Sequence, residues 1–408
     1  MSTAEGVVGV PLRQRRHNLG RVLEVLREAE GPTTASDLIA GTGLSRQSVH
    51  ALCDELITLG LVIEQEPTAP RSATGVGRRS RTFAFNGRAG FVVGVDLGPE
   101  WIVAQLCDLR GDVVASASVE SPGPARPVEE LVHDAQRIID DLVIEAGVDP
   151  GLVGTVAVGV PAPVDRAGVA GSATRVPGLP GTNVIEAFGS GRSWSVLADN
   201  DANLAVVGER WRGVAQGADG VILLLVEERL GAGIIDEGRI IRGGSGFAGQ
   251  LEFMTLLAGV RGTRGVVPLV ERLLEEVGDA DRARIAPAPS DDDLATSPER
   301  GRRARVADAV FVAAGDGDPV AQGIVDAVAD RLSRVIAVVA TMLDPEIVVL
   351  ACDVPRDAEA LLEPVRLRLA PLMQSEPPRL VRSALGSQAV ATGAVRYALD
   401  RAHQRLLP

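Results

Sequence analysis

The chain has 408 residues, of which 46% are hydrophobic and 23% are charged, so it is long enough for two or three domains with ordinary buried cores. Its formal net charge of −13 argues against a protein that coats nucleic acid along its whole length. The first 90 residues carry 11 arginines against 9 acidic residues, whereas the remainder is strongly acidic, which fits DNA contact confined to one end.

The cysteines and the hydropathy pattern exclude two further classes of protein. Cys53, Cys107 and Cys352 lie far apart without C-x-x-C spacing, which indicates neither a zinc site nor a disulfide framework. The scarcity of paired cysteines, together with the lack of a signal-peptide pattern in the first residues, predicts a cytoplasmic location. No apolar run approaches the roughly 18 residues that a membrane span requires, so no membrane partner is expected.

The first 43 residues predict two helices and a turn. Thr34 and Asp37 match a capping box that starts the second helix, and Gly41 and Gly43 mark the turn after it. Apolar residues at helical spacing predict an earlier helix over residues 16–29, with one face packed inward: Leu19, Val22, Leu23, Leu26 and Ala29.

A third helix is predicted to begin after Ser45, a plausible N-cap, and to end at Gly60. Its apolar stripe consists of Val49, Leu52, Leu56 and Leu59. Arginine and glutamine are the side chains that read guanine and adenine edges in a major groove. The predicted DNA contacts of this helix lie off the stripe: Ser45, Arg46, Gln47, Ser48 and His50. A polar, solvated helix face is the alternative interpretation.

The segment after the third helix predicts a wing. Residues 61–63 and Thr82–Phe85 are predicted to pair as the two strands of the wing. A Gly/Pro/Ser-rich tip with several arginines lies between them. Such a tip can reach phosphates or enter a narrow minor groove, and the predicted contacts are Arg78, Arg79 and Arg81. A flexible charged loop is the alternative. The order of elements predicts a winged helix-turn-helix DNA-binding domain over residues 1–88.

From Phe91 onward the pattern is that of an α/β domain. It predicts strands at 91–98, 101–108, 113–119 and 153–160 and a helix at 128–146. A second strand–turn–strand series with glycine-rich loops begins near Gly220, followed by an exposed insert at 282–305, a long helical region at 307–343 and a strand at 345–350. We interpret residues 89–408 as two lobes, approximately 89–215 and 216–408, with a ligand cleft between them. This is the actin and sugar-kinase type of fold, which is ribonuclease H-like.

Three segments of the second domain resemble signature runs of the ROK family, which groups bacterial sugar kinases with transcription repressors that carry a winged helix-turn-helix. They are VGVPAPVD at 158–165, ADNDAN at 198–203 and GGSGFAGQ at 243–250. Their order and spacing carry the resemblance, which covers nearly the whole chain. It implies a regulator that binds a double-stranded DNA operator.

The resemblance also implies a ligand site. Asp201 holds the place of the catalytic base of the family kinases, and Asn200 holds the place of a residue that hydrogen-bonds a sugar hydroxyl. A capping or turn residue kept by ancestry is the alternative for Asp201. The residues predicted to hold a polar effector, such as a sugar or a sugar derivative, are Asn200, Asp201, Asn203 and Gln250.

The chain departs from the kinase pattern where the resemblance places ATP. Pro99 and Glu100 replace the hydroxyl end of the first phosphate loop, and Pro99 also removes a backbone donor. Glu227 and Glu228 stand in the second loop, where carboxylates repel a triphosphate. In the family kinases a pair of glycines on the adenosine side of ATP follows the last predicted strand; here these two positions are Ala351 and Cys352. We therefore predict no ATP binding, and Asp201 would be vestigial.

The sugar and zinc positions of the family have changed as well. Gln250, Phe253 and Pro268 replace a sugar-binding Glu, a His that contacts sugar and zinc, and a second Glu. The family's P-N-L-P-G-W loop reads PGLPGT at 177–182, without its Asn and Trp. Residues 261–266 contain none of the family's cysteine ligands, so neither a metal nor a cofactor is predicted.

The interpretation that we favour is a transcription regulator, most simply a repressor, whose catalytically dead body binds an effector and forms a homodimer or tetramer. Two alternatives stay open at this point. One is an active ATP-dependent sugar kinase with an added DNA-binding head. The other is a ligand-independent DNA-binding protein whose body serves only to dimerise.

Overall fold

The computed structural model describes residues 5–65, 81–121, 126–174, 176–226, 228–260, 262–286, 299–352, 354 and 356–407. The N-terminal part forms a head of three helices and a small antiparallel sheet with the strand order β1-β3-β2. Its elements are α1 (Glu5–Glu28), β1 (Thr33–Thr34), α2 (Ala35–Thr42), α3 (Arg46–Thr58), β2 (Val62–Gln65) and β3 (Thr82–Phe85).

Local signals set the helix limits in the head. The capping box of Thr34 and Asp37 is present, with both reciprocal hydrogen bonds formed. Gly43 closes α2 with a φ of 66°, a conformation that favours glycine. Two predictions for the apolar stripes are corrected: Ala29 lies beyond the end of α1 and is half-buried, and Leu59 is 43% exposed. Leu59 is only the C-cap of α3, where the chain already turns towards β2.

The first lobe contains a five-stranded sheet with the order β6-β5-β4-β7-β8. The meander β4–β5–β6 is antiparallel, and β7 and β8 add to it in parallel. The strands are β4 (Phe91–Leu97), β5 (Trp101–Asp108), β6 (Val113–Glu120), β7 (Val153–Val160) and β8 (Ser195–Asn200), and the helices are α4 (Val128–Glu145), α5 (Val184–Gly189) and α6 (Asp201–Arg212).

The second lobe repeats this topology. Its sheet has the order β11-β10-β9-β12-β13, with an antiparallel meander followed by two parallel strands. This equivalence confirms the predicted duplication. The strands are β9 (Val221–Leu225), β10 (Gly231–Asp236), β11 (Arg239–Ile240), β12 (Ile347–Ala351) and β13 (Arg379–Arg382), and the helices are α7 (Val266–Glu275), α8 (Asp279–Ile285), α9 (Glu299–Gly315), α10 (Pro319–Leu343), α11 (Glu359–Leu369) and α12 (Ala389–Arg405).

Two helices are exchanged between the lobes. The helix α6 follows β8 of the first sheet but packs against β9 and β10 of the second, whereas α12 packs against β4 and β7 of the first. The predicted limit of the second lobe, 216–408, is therefore corrected, because its last helix belongs to the core of the first lobe. The two helices cross where a Cβ on Gly393 would collide with the carbonyl oxygen of Leu204.

Two predictions for the region before β12 also need correction. The helical region at 307–343 is two helices, because Gly317, with a φ of 92°, and the N-cap Asp318 separate α9 from α10. The predicted exposed insert at 282–305 is helical at both ends, where α8 reaches Ile285 and α9 begins at residue 299. Residues 287–298 lie outside the described part of the chain.

Candidate nucleic-acid interface and ligand cleft

The helix α3 presents its first turn to solvent. Ser45 is its N-cap, and the Ser45 hydroxyl accepts a hydrogen bond from the backbone N–H of Ser48 at 3.2 Å. Because an N-cap satisfies one of the free N–H groups of a helix start, it fixes where α3 begins. Val49 is fully buried, whereas Arg46 and Gln47 are exposed. The two long polar side chains predicted to read bases thus lie together at the accessible end of this helix.

His50, also predicted to contact DNA, is engaged in packing. Its ring lies edge-on to the ring of Phe83 in β3, with 6.3 Å between the ring centroids. His50 is half-buried and Phe83 is fully buried. The ring therefore helps to hold the recognition helix against the wing strand. Its contact with DNA stays a prediction that this packing does not favour.

Arg81 is clamped at the base of the wing. Its guanidinium forms ion pairs with Asp54 in α3 and Glu64 in β2, each at 2.7 Å, and lies 5.0 Å from the centroid of the Phe83 ring. The hydrogen bonds that Arg81 donates to Glu64 and Asp54 raise its pKa above the ordinary value. The structure thus gives Arg81 a role in joining α3 to the wing, instead of the free DNA contact predicted for it. Arg78 and Arg79 lie outside the described residues.

The head is fixed to the body by a turn between β5 and β6. In this turn the Arg110 guanidinium donates hydrogen bonds to the carbonyl oxygens of Ala29 and Phe85, each at 3.2 Å, and lies over the Phe85 ring. At the end of the chain, Arg16 of α1 donates to the carbonyl oxygen of Leu407 at 2.9 Å. Apolar residues of the head form one continuous core with those around α6 and α12.

A cleft of about 500 Å³ lies between the two lobes. That volume suits a small molecule, and among the described residues that line the cleft the one aromatic side chain is Trp101. The turns between β4 and β5 and between β9 and β10 face each other across it. The polar side chains that line it are Asp96, Glu100, Ser118, Thr174, Asn200, Asp201, Glu228, Arg229, Gln250 and Ser387.

Asn200 and Asp201 lie at the cleft where β8 ends and α6 begins. Asn200 is the N-cap of α6, and its side-chain carbonyl accepts from the backbone N–H of Ala202 at 3.1 Å. Its amide donates to the carbonyl oxygen of Ala162 at 3.2 Å and to a carboxylate oxygen of Asp201 at 2.7 Å. The Asp201 carboxylate also accepts from the backbone N–H of Ala202, at 2.7 Å, so the capping role that was the alternative for Asp201 is shared with Asn200, which also orients the carboxylate.

The other two predicted effector residues lie in different surroundings. Gln250 is half-buried and lines the cleft. Asn203 is only 1% exposed, and its amide donates to Asp199 at 2.8 Å behind the cleft wall. The prediction that Asn203 contacts an effector is corrected, because its position on α6 directs it into the protein. Asp199 in turn accepts a hydrogen bond from Arg242 at 2.7 Å.

No pattern in the sequence predicts the contact between Asp199 and Arg242, because the two residues are distant along the chain. Asp199 is 2% exposed, and the guanidinium of Arg242 also lies 5.4 Å from the centroid of the Tyr397 ring. The ion pair between Arg242 and Asp199 joins the loop after β11 to the residues just before α6. It positions the Asn200–Asp201 corner of the cleft from behind.

Three of the residues expected to hinder ATP line the cleft, whereas Ala351 and Cys352 do not. Pro99 and Glu100 occupy the β4–β5 turn, and Glu228 lies in the β9–β10 turn opposite. Cys352 follows β12 and is buried. Glu227 is not among the described residues.

Within the described residues, no group of three or more His, Cys, Asp or Glu side chains is arranged to hold a metal ion. All three cysteines are buried, and burial raises the pKa of Cys53 and of Cys107 to about 12. Such thiols stay protonated and unreactive at neutral pH. The absence of zinc stays a prediction. In the same described part of the chain, no helix is long and apolar enough to cross a membrane.

Comparison with known proteins connects the head and the body to separate families. The model of the ROK family matches residues 92–401, and that of the MarR family matches residues 20–71. The chain belongs to the ROK family. Its body carries the ROK fold, and its head is a winged helix-turn-helix of the MarR type.

Both regulators and kinases occur among the ROK relatives. The xylose repressor of Bacillus subtilis (strain 168) is 26% identical over 241 residues, 57% of this chain and 58% of that protein. The glucokinase of Thermotoga maritima is 27% identical over 288 residues, 67% of this chain and 86% of that protein. The chain thus spans little more than half the length of the xylose repressor.

One solved structure resembles both parts of the molecule. It is a ROK family transcriptional regulator, a homolog of the E. coli MLC protein, with a TM-score of 0.67 and 22% sequence identity. The similarity covers 95% of this chain and 96% of that chain. At this identity the likeness establishes the fold, including the combination of a head and a two-lobed body.

Proposed function

We propose that this ROK protein is a transcriptional repressor that binds DNA through its head and a small effector through its body. The observation that carries the proposal is the pair of exposed side chains, Arg46 and Gln47, at the start of the third helix of a winged head. The similarity to a xylose repressor supports it. The acidic body repels phosphates, so DNA contact is confined to the head.

We further propose that the protein acts as a homodimer, or as a tetramer built from such dimers. Two copies of α3 would then enter successive major grooves of a palindrome, about 34 Å apart. Arg46 and Gln47 would contact base edges, Ser45 and Ser48 would lie near the phosphates, and Arg78 and Arg79 would contact the backbone or the minor groove.

The fold provides a physical route from the cleft to the head. The helix α6 begins at Asp201 in the cleft, and its Trp211 packs on Gly111 in the turn that holds the head. The helix α12 begins with the cleft residue Ala389 and leads to Leu407, which contacts α1. A ligand that changes the angle between the lobes would therefore move the head and change operator affinity.

The effector that we propose is a neutral sugar or sugar derivative, held by Asp201 and Gln250 with Trp101 as an apolar wall. Carboxylate and amide groups pair with hydroxyls, and an aromatic side chain suits the apolar face of a sugar ring. Xylose is the first probe, because one relative is named a xylose repressor. Ligand-induced shifts of the melting temperature over a sugar panel would identify the effector, and an Asp201→Asn variant should lose the shift.

Catalytic inactivity is part of the same proposal. Phosphoryl transfer depends on positioning and charge stabilisation. The carboxylates of Glu100 and Glu228 line the cleft on both sides, and the Arg303 guanidinium beside them pairs with these two groups and with Glu271, so it is not left to bind a triphosphate. The relatives that are glucokinases, together with the retained Asp201, make an active sugar kinase the second candidate function.

A coupled assay of ADP release distinguishes the two candidates. With the sugar panel and magnesium–ATP, we expect turnover at background, both in the wild type and in Asp201→Asn. Sugar-dependent ADP release that is abolished by Asp201→Asn would establish the kinase instead. A known glucokinase in the same assay shows that the conditions support turnover.

DNA binding is tested by selecting genomic fragments on the purified protein and then measuring affinity for the recovered operator. Arg46→Ala should weaken binding by about 1–3 kcal/mol, roughly 5- to 150-fold, and relax the preference at one base position. Arg137→Ala, which removes a 57% exposed arginine from α4 of the body, is the matched control and should bind normally. Unchanged affinity and unchanged preference in Arg46→Ala would refute the role of α3.

A further inference from the structure

A single arginine contacts carboxylates from both lobes at the edge of the cleft. Arg303 lies in the first turns of α9, and its side chain is 23% exposed. Its guanidinium forms ion pairs with Glu271 of α7 at 2.8 Å, with Glu228 of the β9–β10 turn at 2.9 Å, and with Glu100 of the β4–β5 turn at 3.5 Å. The first two carboxylates belong to the second lobe, and Glu100 belongs to the first.

The contacts of the guanidinium are of two kinds, an anchor to Glu271 within the second lobe and a bridge between the two turns. Glu271 accepts hydrogen bonds from two nitrogens of the guanidinium, Nε and Nη2, which fixes the plane of the group within the second lobe. The remaining nitrogen, Nη1, contacts both Glu228 and Glu100. It therefore bridges the two turns that face each other across the cleft.

The position of α9 places this bridge at the cleft itself. Gly301 and Ala304, on either side of Arg303, line the cleft together with Glu100 and Glu228. The guanidinium thus places a positive charge between the carboxylates of the two turns, where it attracts both.

We infer that Arg303 is an interlobe clasp, a residue that holds the β4–β5 turn of the first lobe against the second lobe and so sets the width of the cleft. The guanidinium neutralises carboxylates of both turns from within the chain. The hydrogen bonds that Arg303 donates to Glu271 raise the pKa of Arg303, so the guanidinium keeps its charge throughout the physiological range. The inference does not depend on DNA binding or on the identity of an effector.

Hydrogen exchange of the full-length protein, without ligand or DNA, tests the clasp. In Arg303→Ala we expect the amides of residues 98, 100 and 101 in the first lobe and of residues 228–231 in the second to exchange several-fold faster than in the wild type. Arg272→Ala is the control, because it removes a neighbouring arginine whose ion pair with Glu276 is confined to α7 and its C-cap. That variant should exchange like the wild type in both turns.

A second variant separates the bridge from the anchor. Glu100→Gln removes the charge of the carboxylate that Arg303 contacts across the cleft, so it should accelerate exchange of the amides of residues 98, 100 and 101. The amides of α7, the helix that carries Glu271, should keep wild-type rates. If Arg303→Ala changed only the second lobe, or if Glu100→Gln left the amides of residues 98, 100 and 101 unchanged, Arg303 would act within its own lobe and the clasp would be refuted. Unchanged exchange in the head shows that each variant is folded.

Discussion

At the scale of single residues, some arginines of this chain bind acceptors inside the molecule and others are exposed to solvent. Arg81, Arg110 and Arg303 each place the planar fork of the guanidinium between several acceptors inside the molecule. Arg46 is exposed at the start of α3. Sequence alone does not separate the two kinds, because the acceptors of the first kind are distant along the chain.

Arg81→Ala gives the first prediction at this scale. Because Arg81 pairs with Asp54 and Glu64 at a partly exposed site, its loss should lower the free energy of unfolding of the head by no more than about 1 kcal/mol. Operator affinity should fall, since the wing is no longer tied to α3. The dependence of affinity on salt should stay unchanged, because no phosphate contact is removed.

The measurement is a salt titration of operator affinity for Arg81→Ala beside Arg79→Ala. For Arg79→Ala we expect the slope of log affinity against log salt to decrease by about one unit, as for a lost phosphate contact. A similar decrease in Arg81→Ala would mean that Arg81 releases its carboxylates and binds DNA after all.

At the scale of secondary-structure elements, local patterns predicted most of the fold. The strands β5 and β7 have the predicted limits, and the capping box and the N-cap Ser45 are formed by neighbouring residues. The two-residue strand β1 was not predicted, because only its pairing with β3 makes it a strand. The exchange of α6 and α12 between the lobes was missed for a similar reason, since amphipathic spacing does not say which sheet a helix covers.

The candidate site was less predictable than the fold. The corner formed by Asn200 and Asp201 followed from the family resemblance, and the structure places it in the cleft. Asn203 was assigned wrongly, because two residues along α6 is enough to turn a side chain from the cleft into the core. The ion pairs of Arg303 join parts of the chain that only folding brings together.

The crossing of α6 and α12 gives a prediction for the element scale. In Gly393→Ala the added methyl group would collide with the backbone carbonyl of Leu204, which cannot move without shifting α6. We expect a loss of about 1–3 kcal/mol in the free energy of unfolding, as for an overpacked core. Gly323→Ala is the matched control, because Gly323 lies on an exposed part of α10 with open space around it.

Urea unfolding of the two glycine variants checks this prediction. Because alanine favours a helix over glycine, Gly323→Ala should be more stable than the wild type by about 0.5–1 kcal/mol. If Gly393→Ala were stabilised to the same extent, α6 and α12 would have to be further apart than the structure shows.

At the scale of the whole molecule, the junction between the head and the body is the element that function requires. The same β5–β6 turn holds the head through Arg110 and contacts Trp211 at the end of α6 through Gly111. The chain thus places the winged head at the far end of the two helices that begin at the cleft. If an effector binds in the cleft as proposed, it needs only to change the packing of these helices to alter the position of the head.

His403 makes this junction sensitive to pH. It lies in the last turn of α12, and its Nε2 donates a hydrogen bond to the carbonyl oxygen of Leu109 at 2.9 Å. Burial lowers the pKa of His403, with Arg27 of the head and Arg396 acting in the same direction, while the hydrogen bond to Leu109 and the nearby Asp400 act in the opposite one. The native junction therefore favours the neutral ring.

This shift of the pKa predicts a loss of stability in acid. The unfolded chain takes up a proton on His403 near pH 6.5, whereas the folded chain does so only at a lower pH. The contribution of the neutral ring is therefore complete above about pH 6.5 and decreases as the pH falls below that value. We expect the melting temperature of the wild type to fall more steeply between about pH 6.5 and 5 than that of His403→Gln, whose amide donates to the same carbonyl without titrating. Parallel curves for the two proteins would show that His403 is not shielded from water at this junction.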